Sequence, residues 1–179
     1  MDDLDFISDV QLRKTLEDSI EYIYALYEQS KGAEQKPLYI EETHRVIVLY
    51  VVAAIEAVLL FFYKERKEKM EFCEYKYIMT LSDKYRHKDK EEFPVVVAVQ
   101  EKVEKTDYQI GLHDLVIFFL KKKLIQKKTA NRILEINDIR NTFHFSKART
   151  KACDIEKVEE ALSLLVHTLE RAPEALKTT

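Results

Sequence analysis

The stretch EINDIRNTFHFSKAR, residues 135 to 149, holds the side chains best suited to chemistry. Arg140 and His144 stand four residues apart near the end of an amphipathic pattern, and Asn141 directly follows the Arg. A guanidinium stays charged at every accessible pH. An imidazole titrates near neutrality and can move a proton in either direction. On a helix with Ile133 at zero, Arg140 falls at about 340° and His144 at about 20°, while Ile136 and Phe143 fall at about 300° and 280°. Arg140 therefore lies inside the apolar arc, and His144 lies at its edge beside Asn137. A charge in that position is costly unless it is paired or faces a polar cavity. Two readings follow: a catalytic pair, or a helix that is ending while its Arg reaches outward to water.

A matching oddity occurs earlier. The run VIVLYVVAAIEAVLLFFY, Val46 to Tyr63, has 18 residues and a single charge, Glu56. The pattern predicts that Glu56 and Arg140 approach each other as a buried polar cluster. The same run is close to the lower limit for a membrane span. An acidic residue near its centre, however, costs roughly 3 kcal/mol on insertion. Without a second span, a central buried helix is the expectation, and no membrane partner is expected.

Helices must position these groups. Apolar spacing predicts a first helix over Asp5 to Ser30, ended by Gly32, and a second over Glu41 to Lys67 after a loop holding Pro37. The second is apolar nearly all round, as the central element of a bundle would be. The pattern then changes. EFCEYKYIMTL (71 to 81) and FPVVVAVQEKVE (93 to 104) are rich in aromatic and β-branched residues and flank the polar SDKYRHKDKEE, which predicts an inserted β-hairpin over 71–104. An isolated hairpin is marginal in water, so it should pack on the bundle or on another chain. Helical spacing returns from Gly111 to Lys123. Thr129 can cap the helix carrying the Arg–His motif, and Asp154 can cap a last helix closed by Pro173. The expected fold is mainly α: an up-and-down bundle of about five helices with an inserted hairpin, making a single domain over 1–179.

Composition agrees. The chain has only two Gly and three Pro in 179 residues, which disfavours an all-β fold with many tight turns. A net charge of −3 exerts no global pull toward nucleic acid, so RNA binding would need a local basic patch. Cys73 and Cys153 share no motif, which fits a reduced, cytoplasmic setting. The acidic N-terminus, MDDLDFISDV, has no apolar signal-peptide core. With only Gly32 and Gly111 there is no Gly-rich phosphate loop, and the five histidines show no metal-ligand spacing. Neither a metal nor a cofactor is expected. No local feature points to an activated Cys thiolate.

The run LIQKKTANRILEINDIRNTFHF resembles the last-but-one helix of HEPN proteins, in which a hydrophobic residue, Arg and a polar residue precede a His. VVAAIEAVLLFFYK resembles their central helix, with its Ala-rich stretch and embedded Glu. Three residues separate Arg140 and His144 here, fewer than in the common signature, although both groups still share one helical face. The resemblance covers about two thirds of the chain, skips the hairpin, and implies a metal-independent endoribonuclease of toxin or defence type. In that role His144 would be the general base or acid at a ribose 2′-OH, Arg140 would hold the scissile phosphate, and Asn141 would orient one of them. It implies a homodimer that brings two motifs to one cleft, and an inhibitory protein partner. It leaves open a non-catalytic dimeric scaffold for a protein or RNA.

An RNA substrate would need cations beside the motif. KKKLIQKK places Lys121, Lys122, Lys123, Lys127 and Lys128 just before the motif helix, and SKARTK places Lys147, Arg149 and Lys151 just after it. The competing reading is a solvated face whose lysines complement a helix C-terminus.

Overall fold

The computed structural model describes residues 4–32, 36–81, 86–87, 90–143 and 152–176. The chain divides into two compact units, one formed by Met1–Lys67 with Ile110–Thr179 and the other by Glu68–Gln109. Among the described residues the first unit is a bundle of five helices, and the second is an antiparallel hairpin. This is the mainly α fold with an inserted hairpin that the sequence predicts.

Helix α1 spans Val10–Ser30 and buries Leu16, Ile20 and Ile23. It starts five residues later than the expected Asp5, because the Asp9 carboxylate accepts the Leu12 N–H at 3.0 Å and caps the helix there. The apolar residues before the cap belong to a turn that still serves the core: Leu4 and Ile7 are buried, and Phe6 stacks on Phe62 at 5.7 Å.

Helix α2 spans Pro37–Glu65, earlier at both ends than Glu41 to Lys67. Pro37 sits in its first turn, where a missing N–H costs no hydrogen bond and the fixed φ suits a helix. The helix packs against α1 and three others: α3 (Leu112–Lys121), α4 (Lys127–Asn141) and α5 (Ile155–Leu176). It is long and apolar enough to cross a membrane by length and composition, yet 61% of its most apolar window is buried within the protein. That burial is the pattern of a core helix.

The turn between α3 and α4 is closed by a paired hydrogen-bond motif. Lys123 N–H donates to Leu120 O, and Leu124 N–H donates to Phe119 O, both at 2.9 Å. This reversal puts Lys123 in the left-handed region at φ 59°, where glycine is the usual residue. Helix α4 begins after Gln126 rather than at Thr129, which lies inside it, and no side chain caps its first turn. Asp154 caps α5 as expected, accepting the Lys157 N–H at 3.0 Å. Its backbone remains helical past Pro173 to Leu176, because a Pro this close to the helix end gives up only its own N–H bond.

Helices α4 and α5 are tied by Glu160, which accepts from Arg132 at 3.2 Å and from Lys157 at 2.8 Å. Those bonds, the Lys157 one first, hold the Glu160 carboxyl below its ordinary value despite partial burial. A depressed folded pKa means stability that is present above the usual Glu range and lost as pH falls through the folded value. Glu160→Gln should therefore cost about 0.5–1 kcal/mol at neutral pH. In urea titrations the gap to wild type should close below about pH 4. A gap of constant size across that range contradicts the assignment.

The second unit pairs β1 (Phe72–Thr80) with β4 (Val96–Val103), in register from Phe72 opposite Val103 to Tyr77 opposite Ala98, with a shift between Tyr77 and Met79. Towards the tip, β2 (Arg86–His87) pairs with β3 (Lys90–Pro94). Near the base, Lys102 pairs with Glu71 at 2.7 Å, and the Lys105 ammonium lies 4.2 Å from the Phe72 ring centroid. Tyr75, Tyr77, Ile78, Met79, Val96 and Val99 are exposed.

Candidate functional site

Helix α4 buries Ala130, Ile133, Ile136 and Ile139, a row spaced by three that faces the bundle. Arg140 and Asn141 follow that row at its rim and are half-buried. Among the described residues the Arg140 guanidinium takes part in no hydrogen bond or ion pair. Three residues before it, the Asn137 Oδ1 is buried without a hydrogen-bond partner. A half-buried guanidinium that is unbonded among the described residues is able to hold an anion.

His144 lies outside the described residues, as do Lys147, Arg149 and Lys151. The residues on either side of that segment dock on adjacent positions of α2. Before it, the Phe143 ring lies under the Arg45 guanidinium at 5.3 Å. After it, the Cys153 carbonyl oxygen is 3.2 Å from His44 Nδ1. Since a carbonyl only accepts, Nδ1 carries a proton and donates. The His44 Nε2 is buried and has no hydrogen-bond partner among the described residues. Arg45 is buried too and bonds to Glu41 at 2.5 Å, with Glu42 at 3.9 Å. A cavity of about 590 Å³ opens here, lined by Lys31, Glu41, His44, Cys153 and Asp154 among others.

The expected Glu56–Arg140 cluster does not form. Among the described residues neither group takes part in an ion pair, and Glu56 is half-exposed on a face of α2 that the bundle leaves open. The charge avoids burial by rotation, since the helix turns it outward. The groups that α2 does bring to the motif are His44 and Arg45, which the sequence reading passed over. Their signal was the Glu41-to-Arg45 spacing in EETHR, an i, i+4 acid–base pair at the start of an apolar run.

Lys121, Lys122, Lys123, Lys127 and Lys128 are all exposed around the turn from α3 to α4. Lys121 complements the α3 dipole. Lys127 and Lys128 stand in the first turn of α4, where the dipole is positive and neither an acidic residue nor a side-chain cap offsets them. Dipole complementarity therefore accounts for part of the cluster only. Free N–H groups and two ammonium groups at one helix start favour an anion.

Burial pushes the Cys153 thiol up to about 11, so it stays protonated at neutral pH and is no nucleophile for His44. Among the described residues no group of three or more His, Cys, Asp or Glu is placed to hold a metal ion. Compared with family models, curated proteins and solved structures, the chain matches none.

Proposed function

We propose that the protein is a HEPN-like, metal-independent endoribonuclease of toxin or defence type, working in the cytoplasm as a homodimer and held in check by a protein partner. The observation that carries this reading is the Arg140 guanidinium at the rim of α4, unpaired among the described residues, beside Asn141 and three residues before the Phe143 ring that Arg45 covers. Arg140 holds the scissile phosphate and offsets the charge that develops on it. His144 takes the proton of the ribose 2′-OH, and that oxygen attacks phosphorus to form a 2′,3′-cyclic phosphate. The bond to the next nucleotide's 5′-oxygen breaks, and that oxygen leaves as a hydroxyl with a proton from water. Asn141 orients one of the two groups. The uncapped, lysine-bearing start of α4 supplies a phosphate contact at the other end of the same helix.

Incubation of mixed RNA with the purified protein in EDTA tests this. Cleavage should appear in wild type and fall by at least about 100-fold in both Arg140→Ala and His144→Ala. A wild-type protein as inert as its variants, with and without cell extract to supply an activator, overturns it. That outcome would favour a non-catalytic dimeric scaffold for a protein or RNA, a second reading supported by the apolar surface that the hairpin exposes at Tyr75, Tyr77 and Ile78.

A further inference from the structure

Helix α2 is buried on most of its circumference but carries one open stripe along its length. Leu49, Tyr50 and Ala53 are exposed, and Val46, Glu56, Ala57 and Leu60 are half-exposed. Neighbouring members are mostly three or four residues apart, the spacing of a single helical face. The stripe continues to Glu42 at one end and Lys64 at the other. Tyr22 of α1 extends it sideways, edge-on to Tyr50 at 5.1 Å and 45% exposed. A mostly apolar helix face of this length is unusual on a surface that water covers. Between those ends, two polar groups make no hydrogen bond among the described residues, the Glu56 carboxylate and the Tyr50 hydroxyl.

The geometry points to a second copy of this chain as the occupant, with the two α2 helices antiparallel about a two-fold axis at Ala53. In that register Leu49 meets Ala57 of the partner, a large residue against a small one, and Val46 meets its Leu60, apolar against apolar. Ala53 lies on the axis, where its small side chain permits close approach. Tyr50 falls opposite the partner's Glu56, and a phenol can donate to a carboxylate. Glu42 falls opposite the partner's Lys64. The two-fold repeats each pairing, as an isologous interface requires. A parallel arrangement would instead set Glu56 against Glu56 and Glu42 against Glu42, so charge selects the antiparallel one.

This surface deepens the proposed function by placing its dimer contact, and it rests on that reading only for the expectation of two copies. Mass and cross-linking are read here without RNA, so either idea can fail while the other stands. Light scattering on the eluting protein should give twice the 21.2 kDa chain mass. Ala53→Arg, at a position exposed in the single chain, should keep the far-UV circular dichroism and Tm of the isolated fold. It should raise the dimer Kd by about two orders of magnitude. To read the register, Cys73→Ser removes the exposed thiol. Leu49→Cys and Ala57→Cys chains in that background are then mixed and treated with a short bis-maleimide. Cross-links between the two variants, in preference to either with itself, support the antiparallel pairing. Leu49→Cys linking mainly to itself, an Ala53→Arg protein that stays dimeric, or a monomeric wild type each overturn it.

Discussion

Phe62→Ala should lower the unfolding free energy by about 3–5 kcal/mol, the range for emptying an aromatic core site. Its melting temperature should fall by about 10 °C in a domain of this size. The ring is 2% exposed, stacks on Phe6 and meets Phe61 edge-on at 5.3 Å. Two features put this site at the upper part of the range. Helix α2 is gripped by α1, α3, α4 and α5, so its backbone cannot shift to close the void. The stacked Phe6 belongs to the turn before the Asp9 cap, and the segment holding Leu4, Phe6 and Ile7 loses its anchor when Phe62 goes. Phe62→Leu keeps most of the volume and should cost about 1–1.5 kcal/mol. Urea unfolding of the three proteins measures both differences. A loss under 1.5 kcal/mol for the Ala variant, on the scale of the Leu change, means the core collapses freely around that position.

The helices and strands were legible wherever pattern and chemistry agreed. The apolar run from Val46 to Tyr63, with Glu56 arguing against a membrane span, was expected as a central helix, and the aromatic and β-branched clusters around Met79 and Val97 as strands. Element ends were less legible. Phe6 keeps helical spacing with Val10 but precedes a cap, and Pro37 can either break a helix or start one. Thr129 has the chemistry of a cap but lies inside α4, whose first turn has none. The site shows the same limit. A lone Glu in an apolar run reads as buried, and that reading led to an Arg140 partner that the fold does not provide. The open stripe on α2 is itself built of Leu49, Ala53, Ala57 and Leu60, so nothing in hydropathy separates it from the buried sides. The Arg45–Phe143 and His44–Cys153 contacts each join residues about a hundred positions apart, and no local pattern encodes them.

Arg45 should show the second large effect, and one that separates packing from charge. Its guanidinium is buried, bonded to Glu41, and laid over the Phe143 ring, so Arg45→Ala removes an ion pair, a cation–π contact and the aliphatic stem together. A loss of about 3 kcal/mol is expected. Arg45→Met restores much of the stem without a charge to desolvate, and Glu41 is 48% exposed on its side chain, so its carboxylate can turn to water once unpaired. The Met protein should therefore unfold within about 1 kcal/mol of wild type. Local order should respond differently from global stability. Thr142 N–H donates to Ile139 O and Phe143 N–H to Arg140 O, and both bonds close the final turn against α2 through the Phe143 ring. Without the cation over that ring, amide exchange at Thr142 and Phe143 should accelerate in the Met protein while exchange at Ile133 and Ile136 stays slow. Equal protection at both places in Arg45→Met would mean that the guanidinium does not steady the turn, leaving Arg140 and Asn141 held by the isoleucine row alone.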